Sequence, residues 1–249
     1  MFIEEIDESY IVTQEGTSEG TQIKYKKDGF WYKLDRDGKE GLSEYLSSRL
    51  LTFSDLDSKD YIVYEQGQVN GRGACRSKDY LSTDEEFITL YRLYYNEYGK
   101  NLAEVLAGYD QVGDRIKYTL DFVKKSTGLD IKQYLSKVFT LDRIILNEDR
   151  HVNNIAIISS EEGFRTAPIF DNGRALLTAN RSARWNFGIE DNVKRVIAKP
   201  FSGSHQVMYE YFGEGFHLDY KKALEWLESE EDSRERDILI YQIKRYYAI

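Results

Sequence analysis

Two stretches decide how this chain is read: Asn147-Glu148-Asp149-Arg150-His151-Val152-Asn153-Asn154 and, further on, Ile169-Phe170-Asp171-Asn172-Gly173. Moving a phosphoryl group from a nucleotide to a hydroxyl needs one carboxylate that orients the hydroxyl or takes its proton. It also needs a separate set of hard oxygen ligands to hold a divalent cation against the phosphates. Asp149 and Asn154 have the D-x-x-x-x-N spacing in which the aspartate does the first job and the asparagine helps with the second. Asp171 follows a predicted strand hairpin and is the second candidate metal ligand. Taken alone, Asp-Arg-His is also an ordinary polar turn between a helix and a strand.

Outward from these loops, the chain divides by periodicity. Ile131 to Leu146 reads as a long helix with Leu135, Val138, Phe139, Asp142 and Ile145 along one side, and Val112 to Lys125 as another, stopped by Ser126-Thr127-Gly128. Thr83-Asp84-Glu85-Glu86 has the form of a capping box and predicts a helix with Phe87, Leu90, Tyr91, Tyr94 and Tyr98 on one stripe. Short strands are expected at Ile155 to Ser159 and Phe164 to Phe170, and two final helices at Tyr220 to Glu228 and Arg234 to Tyr247. The first third looks different. Tyr10 to Val12, Thr21 to Lys26, Phe30 to Leu34, Tyr61 to Glu65 and Gly73 to Arg76 read as strands, with turns at Asp28-Gly29, Gln66-Gly67 and Asn70-Gly71. Gly41 to Leu51 is the one amphipathic helix there, with Leu42, Tyr45, Leu46 and Leu50 at helical spacing.

The chain has 249 residues and a formal charge of −9, which argues against a dedicated nucleic-acid binder, since clustered Lys and Arg hold polyphosphate backbones. The charge is uneven. Asn172 to His205 holds Arg174, Arg181, Arg184, Lys194, Arg195 and Lys199 against Glu190 and Asp191, a basic stretch directly after Asp171 where an acceptor substrate would enter. A hydrophobic content of 41% supports a folded core, and the single Cys75 suits a reducing compartment. Met1 to Tyr10 carries Glu4, Glu5, Asp7 and Glu8 where a signal peptide would be basic and then apolar, and no run is long enough to span a membrane. The expectation is a soluble cytoplasmic protein without membrane or direct nucleic-acid partners. His205 and His217 stand alone, without metal-ligand spacing.

The run Asp149-Arg150-His151-x-x-Asn154 with the later Phe170-Asp171-x-Gly173 resembles the catalytic and metal loops of the atypical kinases, in particular the HipA-like serine/threonine kinases. Arg and His follow the aspartate here, whereas ordinary protein kinases place them before it. The resemblance implies an α+β, bilobed protein kinase-like fold: a β-rich N-lobe with one helix, residues 1–76, and a mainly helical C-lobe, residues 77–249, meeting near Arg76 to Leu81. It implies a phosphotransferase using ATP and Mg²⁺, with Asp149 catalytic and Asn154 and Asp171 as metal ligands. Phe30-Trp31-Tyr32-Lys33-Leu34 resembles the strand whose lysine meets the α- and β-phosphates, and Glu44, with Glu40 as its rival, stands where the family pairs a glutamate with that lysine. Lys24, Lys26 and Lys27 read instead as a solvated hairpin tip. Gly16-Thr17-Ser18-Glu19-Gly20 is a candidate phosphate-cradling loop, because glycines let backbone N–H groups approach phosphates, and Ser18 or Thr17 is a candidate autophosphorylation site. Lys199-Pro200-Phe201-Ser202 is similar to a segment of the family's C-terminal lobe. The partners implied are a protein substrate and a regulatory or antitoxin protein. The chain is similar to compact, toxin- or effector-type members, including translocated ones, that lack the family's additional N-terminal domain. A lipid or small-molecule kinase, since phosphoinositide kinases share the loop order, and a catalytically silent nucleotide-binding interaction module are the alternatives.

Overall fold

The computed structural model of the chain describes residues 1–12 and 22–248. The sheet-rich region comes first. Strands β1 (Phe2–Glu4), β2 (Lys24–Lys27), β3 (Phe30–Leu34), β4 (Glu65–Val69) and β5 (Arg72–Lys78) form one sheet in the order β1-β4-β5-β3-β2. All neighbours are antiparallel except β1, which lies parallel to β4. Two left-handed turns make the hairpins: Asp28-Gly29 joins β2 to β3 and Asn70-Gly71 joins β4 to β5, each with positive φ at both residues. Helix α1 (Glu40–Leu51) interrupts the sheet in sequence and packs on β3, β4 and β5.

Two expected strands differ from the observed ones. Tyr61 to Glu65 makes only a single bridge, from Tyr61 to Ile169, and the strand begins at Glu65 and runs through Gln66-Gly67. Gly67 is needed inside that strand because β1 crosses so near: a Cβ there would lie 2.3 Å from the Phe2 carbonyl oxygen. Tyr10 to Val12 is likewise not a strand. Glu8–Tyr10 is a 3₁₀ turn capped by Asp7, and Ile11 bridges Tyr25.

The helical region contains α2 (Leu90–Tyr98), α3 (Leu102–Ala107), α4 (Val112–Thr127), α5 (Lys132–Ile145), α6 (Ile189–Val193), α7 (His205–Phe212), α8 (Tyr220–Ser229) and α9 (Arg234–Tyr247). It also holds a three-stranded antiparallel sheet, β6 (Glu86–Thr89), β7 (Ala156–Ser160) and β8 (Gly163–Thr166). The expected helix at Thr83 is therefore a strand until Thr89. Phe87 and Ile88 pair with Ile158 and Ile157 of β7, and α2 starts only where the Thr89 hydroxyl caps the Arg92 N–H. Glu85 does accept the Ser82 N–H at 3.0 Å, but that pair lies one residue before the expected Thr83–Glu86 box and closes a turn rather than opening a helix. Pairing with β7 outweighs the local signal because it satisfies a whole row of backbone groups at once.

Helix α4 ends at Gly128 in the left-handed conformation, as its glycine stop predicts. The largest core runs from Leu46, Leu50 and Leu51 of α1 through Leu135, Phe139 and Ile145 of α5 to Ile238 and Ile243 of α9. It therefore joins α1 to the helical region. No helix among the described residues is long and apolar enough to cross a membrane.

Candidate functional site

Alternation along β3 turns Tyr32 and Leu34 into a small apolar cluster with Tyr25, Val69 and Ala74, and leaves Lys33 on the opposite face. There its ammonium meets Glu44 Oε1 at 2.7 Å and Asp171 Oδ1 at 3.0 Å, and lies 5.1 Å from the centre of the Tyr64 ring. Helix α1 delivers Glu44 because Gly41 lets it come down on β5; a Cβ at Gly41 would sit 2.7 Å from the Ala74 carbonyl carbon. The same helix grips the Asp171-Asn172 backbone. Glu44 Oε2 accepts the Asn172 N–H at 2.8 Å, while the Ser43 hydroxyl donates to the Asn172 carbonyl at 2.9 Å. These bonds help hold Asp171 at φ +59°, a left-handed conformation that costs an ordinary residue free energy.

The charges at this point are set by burial and by each other. Burial acts to raise the Asp171 pKa, but Lys33, Lys24 and Arg150 hold it well below the usual carboxylate range. Burial acts to lower the Lys33 pKa, yet Asp171 and Glu44 keep it well above the ordinary lysine value. Glu44, enclosed with them, is pushed up by burial against the pull of Lys33.

Two side chains change role relative to the sequence reading. Lys24 does not sit at a solvated hairpin tip. It is directly opposite Lys33 in the β2–β3 register, and burial and the Lys33 charge lower its pKa while Asp171 and Glu44 act to raise it. A second amine thus faces the same cleft. Lys26 is the surface one, paired with Asp79 at 2.7 Å. Glu40 is not a partner for Lys33, since its carboxylate accepts the N–H groups of Arg36, Asp37 and Gly38 and closes the turn before α1. The loop Gly16, Thr17, Ser18 and Gly20 lies outside the described residues.

The Asp149 loop leaves α5 through Leu146, which is left-handed, and Asn147 Oδ1 accepts the Asp149 N–H at 2.9 Å. Arg150 then turns inward and is 1% exposed. Its guanidinium makes a forked pair with Asp142 of α5, donating from Nε to Oδ2 and from Nη2 to Oδ1 at 3.0 Å each. It also donates to the carbonyls of Asn154 at 3.1 Å and Phe170 at 2.6 Å, and to Asn172 Oδ1 at 2.6 Å. One buried side chain therefore ties the two loops that carry Asp149, Asn154 and Asp171. The sequence reading used Arg150 only for its order relative to Asp149. The available signal was Asp142, a carboxylate on the otherwise apolar stripe of α5 that needed a buried cation.

Asn154 donates from Nδ2 to the Asp149 carbonyl at 2.9 Å, which leaves its Oδ1 buried and without a partner among the described residues. No group of three His, Cys, Asp or Glu among the described residues could hold a metal alone. The available donor set, an amide oxygen and the Asp171 carboxylate, is of the hard oxygen kind and fits Mg²⁺, an ion usually bound by one or two protein oxygens together with phosphates. His151 sits with Nε2 3.8 Å from Asp149 Oδ2, and its Nδ1 accepts the Asn153 N–H at 3.3 Å.

Beside Asp149 a cavity of about 330 Å³ is walled by Glu148, Arg174, Arg181 and Lys199. Lys199 Nζ donates to Asp149 Oδ1 at 3.0 Å. Of the six cations in the stretch after Asp171, these three reach the cavity. Lys194 instead pairs with Glu190 at 2.9 Å and Arg195 lies by the Phe187 ring. Cys75 is buried, and burial pushes its thiol well above the ordinary value, so it is no nucleophile.

The sheet with one buried helix, the helical region beneath it and the ion triad between them form a kinase-like fold, and solved structures share it. The chain is similar to the proinflammatory kinase CtkA of Helicobacter pylori, with a TM-score of 0.63 and 14% identity over 96% of this chain and 91% of that one. It is similar also to HipA of the Shewanella oneidensis MR-1 toxin–antitoxin system, solved with HipB and operator DNA, with a TM-score of 0.54 and 10% identity over 98% of this chain and 67% of that one. No protein-family model and no curated protein matches the sequence.

Proposed function

We propose that the chain is an ATP-dependent serine/threonine protein kinase of the HipA-like type. The observation that carries this reading is the Lys33–Glu44–Asp171 triad, held beside Asp149 and Asn154 by the single buried Arg150. Lys33, with Glu44 orienting it, binds the α- and β-phosphates, and Gly16, Thr17, Ser18 and Gly20 are the further residues proposed to bind the nucleotide. Asn154 Oδ1 and Asp171 hold Mg²⁺, which when bound neutralises charge on the phosphates. Asp149 orients the acceptor hydroxyl and takes its proton as the new oxygen–phosphorus bond forms and the bond to the β-phosphate oxygen breaks, releasing ADP.

Lys199, whose Nζ donates to Asp149 Oδ1 at 3.0 Å, positions that carboxylate before the acceptor arrives. Arg174, Arg181 and Lys199 give the acceptor side a positive wall in a chain of net −9, which favours a protein acceptor guided by charge. By likeness to the S. oneidensis protein, a regulatory or antitoxin protein belongs to the same proposal. The test is incubation with γ-labelled ATP, Mg²⁺ and a cell lysate, followed by phosphosite mapping. Label on serine or threonine is expected, falling about 10²–10⁴-fold in Asp149→Asn, the usual effect of losing a general base. Equal transfer by the wild type and the variant would refute the assignment.

A further inference from the structure

The charges around the cavity of about 330 Å³ beside Asp149 are not all committed to one another. Both of its carboxylates are engaged. Glu148 Oε1 accepts the Asn180 side-chain amide at 2.6 Å, and the Ile197 backbone N–H bonds the same carboxylate. Asp149 Oδ1 takes Lys199 at 3.0 Å. Among the cations, Arg174 has Asp37 at 3.7 Å, outside the wall, and together with Lys199 it acts against the rise that burial gives the Glu148 pKa. Arg181 is different. It is exposed, so a ligand reaches it, and it has no ion pair and no side-chain hydrogen bond among the described residues.

The loop that presents Arg181 is pinned at both ends. Its near end is tied to the Asp149 loop by the Asn180–Glu148 bond, and Asn180 Oδ1 also accepts the N–H and the hydroxyl of Ser182, at 2.8 and 2.7 Å. Its far end is held by Asn192 of α6, 0% exposed, whose Oδ1 accepts the Arg184 N–H at 2.6 Å and whose Nδ2 donates to the Arg184 and Gly188 carbonyls at 3.1 Å each. The one uncommitted cation of the wall therefore stands on a fixed backbone next to the residue that receives the acceptor hydroxyl. A cavity of this volume is about 9 Å across, a span that an extended chain covers in about three residues. One segment can thus place a hydroxyl at Asp149 and an anionic side chain at Arg181 together. The planar guanidinium matches a carboxylate, and because Arg174 and Lys199 already face carboxylates, a single added negative charge is what the wall still accommodates. Resting on the kinase reading above, we propose that Arg181 is a specificity-determining residue: the acceptor is a serine or threonine with an aspartate or glutamate within three residues of it, and Arg181 pairs with that carboxylate.

The experiment uses short, fluorescently labelled alanine-based peptides with a central serine, carrying an aspartate or a lysine at each of the three positions on either side in turn. Their binding to the full chain and to Arg181→Glu is followed by fluorescence anisotropy, and phosphate transfer to them from γ-labelled ATP is measured in parallel. Both proteins are checked for folding by circular dichroism. At one or more positions aspartate should tighten binding to the wild type about fivefold over alanine, the upper end for an ion pair open to solvent. Arg181→Glu should turn that preference over to lysine at the same positions, a reversal that a merely structural role would not produce. A charge preference in binding that reverses in Arg181→Glu, with no transfer to any peptide or lysate protein, would refute the kinase reading and still support Arg181 as the selecting residue. Equal binding of the aspartate, alanine and lysine peptides, or the same preference in Arg181→Glu as in the wild type, overturns the inference whether or not phosphate is transferred. So does a loss of ATP affinity in Arg181→Glu as large as its loss of peptide affinity, which would assign the arginine to the nucleotide.

Discussion

Arg150 is the residue whose replacement tests most of this structure at once. In Arg150→Met the Asp142 carboxylate, 0% exposed, loses both guanidinium bonds and becomes a buried charge without a counter-ion. Breaking a buried ion pair from one side costs about 3–5 kcal/mol, and each buried carbonyl left unpaired, at Asn154 and Phe170, adds to that. Set against a typical domain stability of about 5–15 kcal/mol, the variant should be folded but marginal. Replacing both partners, Arg150→Met with Asp142→Leu, removes the stranded charge. The double variant should therefore be at least about 2 kcal/mol more stable than the sum of the single effects predicts. Urea unfolding followed by tryptophan fluorescence measures all four corners of the cycle. A cost below about 1 kcal/mol for Arg150→Met, or strict additivity in the double variant, would refute the claim that this guanidinium holds the two loops together.

Other expectations concern the cleft and the core. Gly41→Val should push α1 off β5 and part Glu44 from Lys33, costing about 1–3 kcal/mol in urea unfolding and weakening nucleotide binding more than tenfold; unchanged affinity would mean that the close approach at Ala74 does not set the pair. Lys24→Gln should weaken ATP binding by roughly tenfold or more, the effect of one charged hydrogen bond, whereas Lys26→Gln, paired outside with Asp79, should change nothing, and equal effects in both would return Lys24 to the surface role. His205 has its pKa lowered from 6.5 to about 4, so the folded chain keeps it neutral while the unfolded chain takes up a proton as pH falls through 6.5. Its contribution is thus present above that pH and lost on the way down to about pH 4, by about 3 kcal/mol in all. His205→Gln should flatten that part of the stability–pH curve, and an unaltered slope would show the imidazole to be solvated.

Local pattern determined much of this molecule. The α4, α5, α8 and α9 spans, the Asp28-Gly29 and Asn70-Gly71 hairpins, the Gly128 stop and the placement of Lys33 and Glu44 on a strand and a following helix all follow from signals within a few residues, because caps, turns and periodicity act over that range. The identity of Asp149, Asn154 and Asp171 as chemically interesting also came from spacing alone. Tertiary structure decided the rest wherever a distant segment supplied the deciding contact. Strand β7 turned Glu86–Thr89 from helix into strand, and β1 drew Gln66-Gly67 into a strand rather than a turn. The β2–β3 register moved Lys24 from a hairpin tip to the cleft beside Lys33. The most consequential case is Arg150, which in sequence is one more polar residue in a loop. Its burial, its fork to Asp142 and its grip on both loops exist only once α5 and the two loops have met, because a charge is stable in the interior only when several separate chain segments bring it partners together.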